Sequence, residues 1–183
     1  MSTAAPPETL ADKLLSERVL YPVIGLALFA IATFIVLRGR NLGPAPDLDL
    51  PVIDARGELG AERVNLRALR GHPVIIDFWA TWCGPCRMMT PVLERLHERF
   101  KDRGLSVVGV DVDEEGPTVV PPFRARFGIE YPLVYDLRGR ASERWNIQGL
   151  PTLIVIDREG NMRYRHAGVA NEAELASMIE GML

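Results

Sequence analysis

The fold is decided by the stretch PVIIDFWATWCGPC, which runs from Pro73 to Cys86. Its first half, PVIIDF, is a short apolar run typical of a buried central strand. Beyond the second cysteine, apolar residues recur at helical spacing, at Met88, Val92, Leu96 and Phe100. Gly104 then provides a helix stop signal. The two cysteines are therefore predicted to lie between a buried strand and the first turn of a helix.

This location gives the cysteines their chemistry. A helix N-terminus presents unpaired main-chain N–H groups and the positive end of the helix dipole. A thiolate is stabilised there and becomes nucleophilic at neutral pH. We expect Cys83 to be the exposed attacking thiol, and Cys86, one turn further in, to be buried and to resolve the mixed disulfide. The alternative of a static disulfide or two inert thiols is disfavoured by Trp82 before the pair and by Gly84 and Pro85 within it.

The rest of the chain alternates between strand-like and helix-like segments. Apolar runs predict strands at 105–110, 132–135 and 152–156, with 162–167 as the hairpin partner of the last. Helices are predicted at 122–127 and 141–145, and Asn171 can cap a final helix. This order predicts an α/β fold in which helices cover both faces of a mixed sheet.

Composition excludes several classes of function. The 183 residues carry a net charge of −3 and are 48% hydrophobic, and no basic patch marks a nucleic-acid interface. The three histidines, His72, His97 and His166, are scattered and show no metal-ligand spacing to the two cysteines. We therefore expect no nucleic-acid partner, no metal and no cofactor, although a metal shared between two chains stays open.

A long uncharged segment lies near the N-terminus. Residues 19–37 read VLYPVIGLALFAIATFIVL, which as a helix spans about 28 Å, close to the ~30 Å hydrocarbon core of a bilayer. A buried core helix would show a polar face. A cleaved signal peptide would have a shorter apolar stretch and no acidic residues such as Glu8, Asp12 and Glu17 before it. The segment is interpreted as an uncleaved transmembrane anchor.

The anchor divides the chain into four predicted parts. Residues 1–18 form a cytoplasmic segment, 19–37 the transmembrane helix, 38–47 a linker rich in Pro and Gly, and 48–183 the catalytic domain. Basic residues flank both ends of the anchor, at 13 and 18 and at 38 and 40. The positive-inside rule therefore returns a near tie, and charge alone does not orient the chain.

The active-site stretch carries a family resemblance. Residues 77–86, DFWATWCGPC, resemble the active-site segment of thioredoxins, and the chain from Pro46 onward resembles the membrane-anchored thioredoxin-like proteins of bacteria, the TlpA, ResA and CcmG (DsbE) relatives. Residues 69–73 are similar to their loop before the first core strand, and 149–152, GLPT, to their cis-proline loop. The segment from about 113 to 144 sits where these proteins carry an extra helix and strand. The resemblance implies a thioredoxin-like fold with this family-type insert, plus one N-terminal transmembrane helix.

The resemblance also implies roles for individual residues. Cys83 and Cys86 would form the redox-active disulfide, and Gly84 and Pro85 between them would tune its potential. Pro151 would be cis and pack beside the first cysteine. Substrate would be bound by Trp82, which also shields the disulfide, by Pro151 and by the main chain of Leu150.

Asp77 is a further predicted catalytic residue. It lies within an apolar strand, where an ionisable group is costly unless it has a function. In thioredoxins the matching acid acts on the second cysteine through water. We therefore predict that Asp77 is a general base for Cys86, with a pKa raised by desolvation. The alternative is a solvated residue at a strand end, or a salt-bridge partner.

The dipeptide between the cysteines indicates the direction of electron flow. Gly-Pro resembles thioredoxin, a reductant at about −270 mV, rather than the oxidant DsbA at about −120 mV. The prediction is a protein-disulfide reductase acting on disulfide-containing proteins. The family resemblance, not charge, places its catalytic domain in the periplasm on a single-pass anchor in the bacterial inner membrane. There it would need a membrane thiol electron donor of the DsbD/CcdA type.

Other functions stay open at this point. A disulfide oxidase or isomerase needs the same residues with a higher potential, and a thiol metallochaperone could carry copper on the two cysteines. Cytochrome c maturation is not specified either. Some members that serve it carry an acid where this chain has Met89, and can have Asn where it has Asp77.

Overall fold

The computed structural model describes residues 21–29 and 41–183. Residues 21–29 are helical, with exposed side chains. Within these two described ranges, no helix is both long enough and apolar enough to cross a bilayer. The rest of the predicted anchor, 19–37, lies outside the described residues, as does the whole predicted cytoplasmic segment, 1–18.

A mixed sheet forms the centre of the unit that contains residues 41–183. Its strands are β1 (Asp49–Ile53), β2 (Leu59–Asn65), β3 (Val74–Trp79), β4 (Ser106–Asp111), β5 (Leu133–Tyr135), β6 (Thr152–Ile156) and β7 (Met162–Ala167). They lie side by side in the order β2-β1-β5-β4-β3-β6-β7. β4 runs parallel to both β3 and β5, and β6 runs antiparallel to β3. β3 is therefore an interior strand, and its side chains are buried on both faces.

Helices cover the sheet on both faces. They are α1 (Gly84–Phe100), α2 (Val120–Phe127), α3 (Arg140–Arg144) and α4 (Glu172–Glu180), with short 3₁₀ turns between elements. Side chains alternate along β3: Ile75 and Trp79 join the core under α1, α2 and α4, whereas Ile76 and Phe78 join the core on the opposite face with Trp145. The predicted α/β fold with a mixed sheet between helices is confirmed.

Most predicted elements occur within a residue or two of their expected bounds. The hairpin β6–β7 occupies the predicted residues, and the side chain of Asn171 caps α4 by accepting the main-chain N–H of Glu174 at 3.1 Å. The insert, 113–144, supplies α2, β5 and α3 between β4 and β6. β5 adds to the sheet beside β4, and α2 packs on the α1 face through Val120 and Phe123.

The hairpin β1–β2 was not predicted. β2 is exposed along most of its length and reads LGAERVN, so it lacks the apolar alternation by which a strand is recognised. Its turn is formed by Asp54, whose Oδ1 accepts the N–H groups of Arg56 and Glu58 at 2.8 Å. The hairpin extends the sheet beyond the insert strand β5.

The described part of the predicted linker, 41–47, is bonded to the domain. The N–H of Leu42 donates to the carbonyl of Met162, and the N–H of Met162 donates to the carbonyl of Gly43, both at 2.8 Å. Ala45 donates to the carbonyl of Gly160 at 2.9 Å. Main-chain pairing with the β6–β7 hairpin thus begins several residues before the predicted domain boundary at 48.

Candidate active site

The two cysteines are joined in a disulfide where β3 leads into α1. The Sγ–Sγ distance is 2.01 Å and the Cα atoms are 5.2 Å apart. Cys83 is the N-cap residue of α1, and its Sγ accepts the main-chain N–H of Cys86 at 3.2 Å. This N–H belongs to the first turn, whose donors have no partner within the helix. The predicted location between a strand and a helix N-terminus is confirmed, and negative charge on Cys83 Sγ is stabilised there.

The two cysteine residues differ little in exposure in this disulfide form. Cys86 is 0% exposed, as predicted, but Cys83 is only 3% exposed. The prediction of an exposed Cys83 is wrong for the oxidised protein, because its sulfur is bonded to Cys86 and belongs to the buried cluster under α1. Trp82, the preceding residue, is 62% exposed and is the prominent surface feature of the site.

Asp77 is buried on the face of the sheet that α1 covers. It lies between Ile75 and Trp79 on that face, beside Gly109 of β4, and is 1% exposed. Its Oδ1 has no hydrogen-bond partner among the residues that the structure describes. Burial raises its pKa from 3.8 to about 7. The predicted rise by desolvation is confirmed, and the alternative of a solvated strand-end residue is excluded.

The cis-proline loop lies at the same end of the sheet. The Leu150–Pro151 peptide bond is cis, as the resemblance implies. Thr152, which follows, pairs with Phe78 near the end of β3 that leads to the cysteines. The loop is held by Thr152 Oγ1, which donates to the carbonyl of Gly149 at 2.7 Å, and by Gly168 N–H, which donates to the carbonyl of Pro151 at 2.8 Å. Leu150 is half-buried and Pro151 is buried.

Thr81 is held on both sides just before Trp82 and Cys83. Its N–H and hydroxyl donate to the carboxylate of Asp113 at 2.7 and 3.0 Å. Its carbonyl accepts from Nε and Nη2 of Arg87, at 3.1 and 2.9 Å. Asp113 follows β4 and Arg87 lies in the first turn of α1, so two elements fix the start of the loop that carries the cysteines.

A second buried acid, Asp111, lies next to the Asp113 carboxylate that holds Thr81. Asp111, the last residue of β4, is 0% exposed, and its Oδ1 accepts the main-chain N–H of Asp113 at 3.3 Å. Burial, together with the neighbouring Asp113 carboxyl, raises the pKa of Asp111 to about 9. The Asp111 carboxyl therefore holds a proton at neutral pH, which avoids two adjacent buried negative charges.

Comparison with known proteins shows the family. Residues 43–165 match the family described as AhpC/TSA, which is more than half of the chain. The chain belongs to the AhpC/TSA family. It is 32% identical over 123 residues to the thiol-disulfide oxidoreductase ResA of Halalkalibacterium halodurans, covering 67% of this chain and 69% of that one. It is 29% identical over 138 residues to the thioredoxin-like protein YneN of Bacillus subtilis, covering 74% and 76%.

The solved structures that resemble this chain also include proteins described as disulfide-exchange proteins. A putative thiol:disulfide interchange protein DsbE from Chlorobium tepidum superposes with a TM-score of 0.68 at 28% identity, over 79% of this chain and 99% of that one. A putative protein disulfide isomerase from Bacteroides thetaiotaomicron gives 0.68 at 30% identity, over 79% and 91%. The predicted thioredoxin-like fold and the predicted likeness to ResA and DsbE relatives are confirmed. This AhpC/TSA protein is a thiol–disulfide oxidoreductase.

Two residues of this AhpC/TSA site were not predicted from the sequence. Asp113 and Arg87 hold Thr81, yet neither lies in the recognised motifs. A signal for Asp113 exists, because it follows the predicted buried strand 105–110, which the structure places beside the strand that leads to the cysteines. No comparable signal marks Arg87, which looks like an ordinary helix-surface residue.

The burial of Asp77 predicts a pH-dependent cost in stability. As pH rises from about 4, Asp77 loses its proton in the unfolded state but keeps it in the folded state. The free energy of unfolding therefore falls with rising pH until the pKa of Asp77 in the folded state, near 7, is passed. We expect Asp77→Asn to remove this loss. The free energy of unfolding of Asp77→Asn minus that of the wild type, measured in urea on the oxidised proteins, should increase between pH 4 and pH 8 by a few kcal/mol.

Asp111 contributes equally to both proteins in this comparison, so its own titration cancels. A difference in unfolding free energy that stays constant from pH 4 to pH 8 would show that Asp77 keeps an ordinary pKa in the folded protein.

Proposed function

We propose that this protein reduces disulfide bonds in other proteins outside the cytoplasm, from a membrane anchor. The observation that carries the proposal is the Cys83–Cys86 pair at the N-terminus of α1, with Cys83 Sγ as the N-cap acceptor. Gly84 and Pro85 between the cysteines resemble the dipeptide of a reductant. The similarity of the chain to ResA and DsbE proteins supports a disulfide-containing substrate.

The reaction proceeds in two exchange steps. The Cys83 thiolate attacks one sulfur of the target disulfide, forms a mixed disulfide and releases the other target sulfur as a thiolate. Cys86 then loses its proton and attacks Cys83 Sγ, which releases the second target sulfur. The target gains two electrons, and the enzyme is left with the Cys83–Cys86 disulfide found in the structure.

Asp77 takes the proton from Cys86 in the second step. Both side chains are buried on the α1 face of the sheet, where bulk water is excluded. A pKa of about 7 leaves the Asp77 carboxyl partly ionised at neutral pH, and a general base works best when its pKa lies near the working pH. Oδ1 of Asp77, without a hydrogen-bond partner among the described residues, is available to accept the proton directly or through water.

Substrate contacts the surface around the disulfide. Trp82 offers the exposed aromatic face, and the loop of Leu150 and Pro151 supplies main-chain groups to an extended segment. β6 runs beside β3, so this loop and the cysteines meet at one end of the sheet although they are far apart in sequence.

Membrane attachment and an electron supply complete the proposal. The uncharged segment 19–37 would anchor the chain in the inner membrane, with 1–18 in the cytoplasm and the domain in the periplasm. An oxidising compartment requires a donor that returns electrons to the disulfide, and a membrane thiol protein of the DsbD/CcdA type would supply them. A C-terminal reporter that is active only outside the cytoplasm tests the orientation: the fusion should be active, and a fusion that is expressed but inactive would overturn it.

Insulin reduction tests the activity directly. With dithiothreitol as electron source, the wild type should accelerate precipitation of the insulin B chain, because Cys83 exchanges faster than the free reductant. Cys83→Ser should be inactive. Reduced Cys86→Ser, mixed with insulin after the dithiothreitol is removed, should accumulate a mixed disulfide on Cys83, visible as a covalent adduct on a non-reducing gel. A wild type no faster than Cys83→Ser would overturn the proposed reductase.

Two further measurements test the metallochaperone and the isomerase. Tight Cu(I) binding that needs both cysteines, with no insulin reduction, would favour a metallochaperone. Disulfide isomerisation is a second candidate because the Bacteroides structure carries that description. It predicts that the wild type reactivates a scrambled disulfide protein more effectively than it reduces insulin.

Replacement of Asp77 tests the general base. We expect Asp77→Asn to slow resolution of a preformed mixed disulfide on Cys83 by about a hundredfold or more near pH 7, the scale of lost general-base catalysis. The measurement is single-turnover release of a labelled peptide thiol. Asp157→Asn is the matched control, because Asp157 is also a buried acid but lies in the β6–β7 turn at the other end of β6. Unchanged release by Asp77→Asn would remove Asp77 from the mechanism.

A further inference from the structure

An open groove with no assigned role lies next to the disulfide. One wall is formed by Thr81 and Trp82 and by Arg87 of α1, and the other by α2 of the insert, with a volume of about 290 Å³ between them. We call this feature the Trp82 groove. Because Trp82 immediately precedes Cys83, a segment lying in the groove is within a few residues of any sulfur that Cys83 attacks.

The groove is positively charged in a protein of net negative charge. Its lining contains Arg87 and Arg126 and no acidic residue, whereas the whole chain has a net charge of −3. Neither arginine forms an ion pair within the described part of the chain. Arg87 uses Nε and Nη2 on the carbonyl of Thr81, which leaves further N–H donors on its guanidinium. Two guanidinium groups that line one groove favour a carboxylate as ligand.

Asp113, the acid next to the groove, does not neutralise these arginines. Both of its carboxylate oxygens accept from Thr81, and the residue is 1% exposed. The Asp113 carboxylate therefore interacts with the loop that carries Thr81 and does not face the groove. Arg126 is exposed, with its Cζ 5.6 Å from the centroid of the Phe127 ring.

The groove also offers aromatic surface. Trp82 is 62% exposed, so its ring offers a large apolar contact surface with a polar N–H at one edge. On the opposite wall, Phe123 and Phe127 lie with ring centroids 4.5 Å apart, and Phe123 packs on Trp79 of the core at 4.6 Å. These rings give the α2 wall a rigid base and suit an apolar side chain of a bound segment.

We propose that the Trp82 groove selects substrates by binding an acidic residue and a neighbouring apolar side chain beside the cysteine under attack. This inference rests on the proposed function, because it assigns the segment of the protein substrate that the exchange site accepts. The insert contributes Arg126, Phe123 and Phe127 to the groove. Substrate specificity would therefore depend on α2, while disulfide exchange depends on the cysteines.

Peptide disulfides provide the test on the full chain. Three peptides differ only in the pair next to the reactive cysteine, which is Glu-Phe, Gln-Phe or Lys-Phe, and kcat/KM is measured for reduction of each. We expect the Glu peptide to exceed the Gln peptide by about threefold and the Lys peptide by roughly tenfold at low salt, the scale of exposed charge pairs. At about 0.5 M salt the preference should shrink towards none, because exposed charges are then screened.

Charge reversal identifies the residue responsible. Arg126→Glu should abolish the preference for the Glu peptide, because Arg87 then shares the groove with one acid, and kcat/KM for the Gln peptide should change little. Arg158→Glu is the matched control, because Arg158 is an exposed arginine in the β6–β7 turn at the opposite end of β6, and it should keep the wild-type order.

The outcomes separate this inference from the proposed function. Equal reduction of all three peptides by the wild type, or an Arg126→Glu variant that keeps the wild-type order, overturns the groove as a specificity site while the reductase stands. Failure of the wild type to reduce any of the peptides overturns the reductase itself.

Discussion

The hydrogen bond from the Cys86 N–H to Cys83 Sγ is the interaction on which the active site depends. It makes a reactive sulfur the N-cap of α1, where main-chain donors and the helix dipole stabilise negative charge. That arrangement requires β3 to end at a fixed point beneath the helix. β3 is buried on both faces and pairs with β4 on one side and β6 on the other, so its end is held by neighbours on every side.

The direction of the strands explains why the other groups gather there. β3 and β4 are parallel, so their carboxyl ends meet and bring Asp113 to the loop before the cysteines. β6 is antiparallel to β3, so its amino end, with Pro151 before it, reaches the same edge. The insert adds α2 beside Trp82. The reactive groups lie on the core strands and on α1, whereas part of the surface proposed to contact the substrate belongs to the insert.

The sequence predicted those parts of the protein whose signal is local. β3, α1, β6 and α4 carry strong apolar periods or a cap, and their bounds were found within a residue or two. The exposed strand β2 has no such period. The burial of Cys83 and the contact of Asp113 with Thr81 depend on residues that are far apart in the chain, and no local pattern reveals them. Asp77 could be identified because an acid within an apolar strand is itself a local anomaly.

The reduction potential of the Cys83–Cys86 pair tests the central claim most directly. The full chain is equilibrated with defined ratios of reduced and oxidised dithiothreitol or glutathione, and the free thiols are alkylated and counted. A value near about −270 mV is expected for a reductant with this dipeptide and this helix N-terminus. A value above about −150 mV would contradict the reductase and make the protein an oxidant.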